Sequence, residues 1–130
     1  VTDILRKASS FLEKLRHTTA TSPVTYRRGD RAIYDVPATI GRTEYQQDDG
    51  AGVITRAESR DFLILACDLV FDGMPALPEP GDQIEEVQGG TLFVYEVLPV
   101  GGMQPHYRYS DPYRQTLRIH TKLIGEEAQR

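Results

Sequence analysis

Three histidines, one cysteine and scattered carboxylates are the residues through which this chain could do bond-making chemistry. His17, His106 and His120 are too dispersed to form a metal-ligand motif. His120 stands between Arg118 and Lys122 on a segment that alternates like a strand, and flanking cations repel a divalent metal. That pattern favours a surface or partner-facing histidine. Cys67 closes an apolar run and has no histidine near it in sequence, so it reads as a small buried hydrophobe and not as a nucleophile. Asp68 and Asp72 bracket apolar residues without the spacing of a calcium loop, and Asp72-Gly73 reads as a turn. The glycine pairs at 89–90 and 101–102 are not followed by a helix start, as a phosphate cradle requires. Neither Gly-x-Ser-x-Gly nor His-Glu-x-x-His occurs. The reading is of a protein that is not an enzyme, with no catalytic, cofactor-binding or metal site. Catalysis would need His106 and Asp111 to converge with a distant residue, which spacing does not show.

Function must then lie in surfaces, and two stand out. The first lies in the stretch 41–57, which carries no steady period and reads as a long loop. Its centre is Tyr45, Gln46, Gln47, Asp48, Asp49, Gly50, Ala51, Gly52, Val53 and Ile54. The tip is acidic and glycine-rich, while Val53 and Ile54 are apolar, which a purely solvated loop does not need. It is either a disordered insertion or a segment that orders against neighbouring subunits. The second surface is the outward row Arg118, His120 and Lys122, which could meet acidic residues or phosphates of a partner, or be a solvated face.

The elements that position these surfaces are strands. Gly81 to Val97 reads as a leading turn, a strand, a Gly89-Gly90 hairpin turn and a second strand apolar on both faces. Such a strand sits between two layers, here at the centre of a small barrel or sandwich. Phe62 to Cys67 is a second two-faced apolar strand. Val24 to Arg28 and Ala32 to Ile40 form another hairpin around Arg28-Gly29-Asp30, with Pro37 marking an edge or a bulge. Gln115 to Leu123 alternates, with Leu117, Ile119, Thr121 and Leu123 inward and Thr116, Arg118, His120 and Lys122 outward. Residues 3–17 have the spacing of an amphipathic helix, and 124–130 read as a polar tail. The expected fold is mainly β: a six- to seven-stranded barrel or sandwich over 24–123, with an N-terminal helix and a long loop after the second strand.

Composition sets the outer bounds. A chain of 130 residues fits one domain, and its net charge of −4 argues against a broad basic surface for nucleic acid. One cysteine allows no internal disulfide, and no apolar run approaches the length of a membrane span. The start, Val-Thr-Asp-Ile-Leu-Arg-Lys, lacks the apolar core of a signal peptide.

The order of features resembles a known family. A helix precedes a strand pair at Val24 to Ile40, then come a long glycine-containing loop and the strand Phe62 to Cys67. Pro-x-Pro-Gly-Asp-x-Ile at Pro78 to Ile84 leads into the Gly-Gly hairpin and Phe93-Val94-Tyr95-Glu96-Val97, and Leu117 to Lys122 closes the series. This resembles the head–tail connector proteins of long-tailed bacteriophages, the head-completion or stopper group that includes the lambda-type head–tail joining protein. The resemblance covers about residues 3–124. It implies a structural virion protein of the neck, made in the host bacterial cytoplasm, without enzymatic activity or cofactor. It implies copies assembled as a ring, six or twelve in number, beneath a portal or adaptor protein. That ring would continue the DNA channel, help retain packaged DNA and dock the tail terminator or another tail protein. Double-stranded DNA would pass without sequence readout, and no membrane is involved. By position, the resemblance implies that Tyr45 to Ile54 is the loop that projects into the channel and closes it, or that reaches sideways to a neighbour or down to the tail. A tail-terminator or tail-tube ring subunit is the alternative in the same setting. A small-ligand-binding β-barrel, with Tyr107, Tyr109 and Tyr113 around a pocket, is the alternative outside it.

Overall fold

The computed structural model describes residues 6–7, 21–48, 50–99 and 105–128. The helix expected over 3–17 falls outside these residues except at Arg6 and Lys7, which are helical. Among the described residues the strands are β1 (Ser22–Arg28), β2 (Arg31–Asp48), β3 (Ile54–Leu65), β4 (Val70–Phe71), β5 (Met74–Pro75), β6 (Gln83–Gln88), β7 (Thr91–Val97), β8 (Tyr107–Tyr109) and β9 (Thr116–Ala128). A 3-10 turn at Ala66–Asp68 follows β3. The protein is mainly β, as the alternation and turn signals require.

Seven strands form one antiparallel sheet in the order β3-β2-β1-β6-β7-β9-β8, and β3 pairs also with β9. The pairings of β3, β2, β1, β6, β7 and β9 therefore run in a closed circuit. β4 and β5 pair separately. The turns are where their residues place them. Gly89 and Gly90 carry φ of 56° and 82°, left-handed values that a tight β6–β7 turn needs and a side chain resists. Pro37 pairs with Pro23 just before the β2–β3 ladder begins at Ala38↔Ile64, so its missing N–H interrupts no ladder on that side. The expected bulge lies beside it. Tyr34 and Asp35 together oppose Thr25, between the pairs Val24↔Val36 and Tyr26↔Ile33.

The core gathers Tyr26, Phe62, Ile64, Leu69, Ile84, Val97, Leu117 and Ile119, all fully buried. On β3 the opposite face is buried too, at Ser59, Asp61 and Leu63, so the two-faced reading of this strand holds. On β7 only Tyr95 and Val97 are buried, and Leu92 and Val94 are half-buried.

Three expectations are corrected. The stretch 41–57 is not a long loop. β2 and β3 pair without interruption from Ala38↔Ile64 to Asp48↔Ile54, so the stretch is a hairpin with its turn beyond Asp48. Its polar residues hid the pairing because strands exposed on both faces show no apolar alternation. The polar tail is likewise strand through Ala128, paired with β7 from Val97↔Thr121 to Thr91↔Ala128. Cys67 is exposed, because the chain leaves β3 for the 3-10 turn before reaching it.

The long hairpin outruns the sheet. β1 accompanies β2 only as far as Ala38, and β9 accompanies β3 only to Arg60↔Thr121. Residues 43–48 and 54–59 pair only with each other among the described residues. At about 3.3 Å per residue they form an arm on the order of 20 Å long.

Candidate functional site

The root of this arm is held by a polar cluster built around Asp61. Asp61 lies on β3 one residue before the fully buried Phe62, and is itself fully buried. Its Oδ1 accepts hydrogen bonds from Ser59 Oγ at 2.6 Å and from His120 Nδ1 at 2.8 Å. Its Oδ2 accepts one from Arg118 Nη1 at 2.6 Å and one from Thr43 Oγ1. Burial works against the charge, but the hydrogen bonds from His120, Ser59, Thr43 and Arg118 outweigh it and hold the carboxyl down at about 2. The cluster joins β2, β3 and β9 where the arm leaves the sheet. Gly41 on β2 permits its close packing: a Cβ there would lie 3.2 Å from Leu63 Cδ1 and 3.3 Å from Arg118 Nη1.

Serine, histidine and aspartate in contact invite comparison with a hydrolytic triad, and the geometry differs. Ser59 Oγ donates to Asp61 and lies 3.4 Å from His120 Nδ1, the nitrogen that already faces Asp61. A triad needs its nucleophile on the opposite ring nitrogen. The arrangement is a clamp.

Beside it a groove of about 610 Å³ opens between the root of the arm and the middle of β9, at Thr121 to Leu123. Ile40, Tyr95 and Leu123 give it apolar surface, and Arg42, Glu58 and Lys122 stand among its polar lining. Arg60 reaches from the groove to the buried Glu86 at 2.7 Å and lies over the Tyr95 ring at 5.1 Å.

A second clamp ties the end of β1 to the turn before β6. Asp82, nearly fully buried, takes both Arg28 Nε at 3.0 Å and Arg28 Nη2 at 2.9 Å, together with Tyr26 Oη and the Glu79 N–H. Burial first, then the bond to Asp82, pushes the Tyr26 phenol far above its usual range.

The residues singled out in sequence fall in three places. Tyr45 to Asp48 lie on the β2 side of the arm and Ile54 begins its β3 side. Gly50, Ala51, Gly52 and Val53 form the tip, and Asp49 lies outside the described residues. Val53 and Ile54 are 53% and 63% exposed. The row Arg118, His120, Lys122 is not one outward face. His120 is only 2% exposed, its ring bonded to the buried carboxylate of Asp61, its cross-strand partner on β3. Arg118 is tied to Asp61, and only Lys122 is freely exposed. Thr116, expected outside, is buried, and Leu123, expected inside, is 42% exposed where the groove opens. His106 Nε2 donates to the Pro78 carbonyl at 2.7 Å, while His17 lies outside the described residues. Tyr107 and Tyr109 pack against the core. No group of three or more metal-ligating side chains gathers among the described residues. Asp61, Ser59 and Thr43 were missed in sequence. The available signal was a charged residue abutting the Phe62-Leu63-Ile64 run, with Ser59 two positions earlier on the same strand face.

The hairpin projects beyond a sheet whose two buried carboxylates, Asp61 and Asp82, are each held by several donors. A model of the phage head-tail joining protein family matches residues 2–128. The chain belongs to that family. No curated protein matches it. A head–tail joining protein is a structural component of the phage virion at the neck, in contact with other head and tail proteins, and its family is not one of enzymes. The resemblance drawn from the sequence is thereby established at the level of the family. Among the described residues, no helix of this joining protein is long and apolar enough to cross a membrane.

Proposed function

We propose that the protein assembles as a ring of copies between the portal or adaptor and the tail. That ring continues the DNA channel, helps retain packaged DNA and offers the tail a docking face. The family match over nearly the whole chain carries this reading. The closed circuit of strand pairings supports it, read as a small barrel that serves as a rigid ring unit. Head-to-tail contact between identical units closes into a ring and covers open strand edges. The arm, with Tyr45 to Ile54 in its outer part, meets the channel or a neighbouring copy. Lys122 and its surroundings are the part of the β9 row that faces a partner.

Reconstitution tests the proposal. DNA-filled heads made without this protein are expected to leak DNA and to stay tailless, and the purified protein is expected to restore both retention and tail joining. A protein that instead caps isolated tails, leaving heads unaffected, is a tail terminator and overturns the proposal.

A further inference from the structure

We propose that the groove at the root of the arm receives the arm tip of a second copy of this chain. The inference rests on the reading of copies in a ring, and names the contact that links one to the next.

Two strand edges diverge at this groove. Past Arg60↔Thr121, β3 continues toward Ile54 paired only with β2, and β9 continues toward Ala128 paired only with β7, among the described residues. Open edges of this kind take up an extended segment, with backbone bonds for affinity and side-chain pockets for selection. The groove between them offers Ile40, Tyr95 and Leu123 as apolar surface, with Arg42, Arg60 and Lys122 as cations against the single carboxylate Glu58, and Arg60 already engaged by Glu86. The Arg42 guanidinium is only loosely engaged, 3.9 Å from Glu58, and its side chain is 72% exposed.

The arm tip has the complementary chemistry. Val53 and Ile54 are exposed apolar side chains, and Asp48 beside them is an exposed carboxylate that accepts a bond from the Gly50 N–H at 2.9 Å. Apolar side chains meet an apolar floor, and a carboxylate meets cations on a chain whose net charge is otherwise negative. The same molecule's tip does not reach. The ladder from Ala38↔Ile64 to Asp48↔Ile54 is unbroken, which holds the tip roughly 20 Å from the arm's root. The occupant is therefore another copy. Tip into root is a heterologous contact, so it propagates head to tail and closes where the rotation permits.

Cross-linking tests this. In a Cys67→Ser background, Val53→Cys and Leu123→Cys are made separately, both at exposed positions, and mixed with a short bis-maleimide at concentrations where sedimentation detects association. A Val53–Leu123 product between copies is expected to dominate, and the double variant is expected to give a ladder of multimers. Lys122→Glu and Asp48→Lys are each expected to lower the yield by roughly three- to tenfold, and their combination to restore it. Tip-to-tip products alone, association without the Val53–Leu123 product, or a monomer up to millimolar concentration would each overturn the proposal. The neck role fails separately: particles that join heads to tails without this protein would reject that role while leaving a cross-linked contact standing.

Discussion

Replacing Asp61 by alanine removes the acceptor at the centre of the arm's root. Four donors lose their partner at once: Ser59, Thr43, His120 and Arg118. Breaking a buried charged cluster from one side costs about 3–5 kcal/mol. Arg118 keeps 22% of its side chain in solvent and can rehydrate, so the expected cost is near the lower end, about 3 kcal/mol. Asp61→Asn retains one oxygen and is expected to cost about half as much. The assay is urea unfolding followed by circular dichroism, reading the midpoint at constant slope. The pH dependence gives an independent check. The Asp61 carboxyl falls from an ordinary 3.8 to about 2 in the folded chain. Its contribution, about 2 kcal/mol by that difference, is full above about pH 5 and is lost as pH falls through about 2. The gap between wild type and Asp61→Asn is therefore expected to shrink on acidification through that window. A gap below about 0.5 kcal/mol at neutral pH would refute the clamp, since that is the range of ordinary surface substitutions. A gap that widens below pH 4 would contradict the depressed carboxyl.

Gly41→Ala pushes a methyl to within 3.2–3.3 Å of Leu63 and Arg118, and is expected to lower stability by about 1 kcal/mol, less so when Asp61 is already asparagine; a double-mutant cycle reads the coupling. Gly90→Ala forces a left-handed residue with φ of 82° and is expected to cost about 1 kcal/mol in thermal unfolding, while Gly89→Asn is tolerated better. Tyr26→Phe leaves Arg28 and Asp82 paired, and is expected to cost about 1 kcal/mol; burial raises both Tyr26 and Tyr95, so ultraviolet titration is expected to show one more tyrosine ionising late in the wild type than in Tyr26→Phe.

The turn chemistry carried most of the fold into the sequence. Gly89-Gly90, Asp72-Gly73 and Arg28-Gly29-Asp30 each turn where glycine permits a left-handed residue, and the runs between them are strands. The arm was invisible for a physical reason. Beyond the buried Ser59 and the half-buried Thr43 at its root, the arm is largely exposed and built of polar residues, so no apolar period marks its strands. The two clamps were hidden differently. Asp61 and Asp82 look like a strand-edge charge and a turn residue, and only the long-range pairings that bring His120 to one and Arg28 to the other show them as buried anchors. His120 illustrates the same limit from the other side. Alternation placed it opposite Leu117 and Ile119 correctly, but cannot tell whether that second face meets water or a clamp.

Imaging of assembled particles carrying a tagged copy of this protein tests the account most directly. A closed ring at the junction of head and tail, coaxial with the DNA, is the expected result. Density for the tag away from the neck, or a single copy there with no ring around the channel, would contradict it.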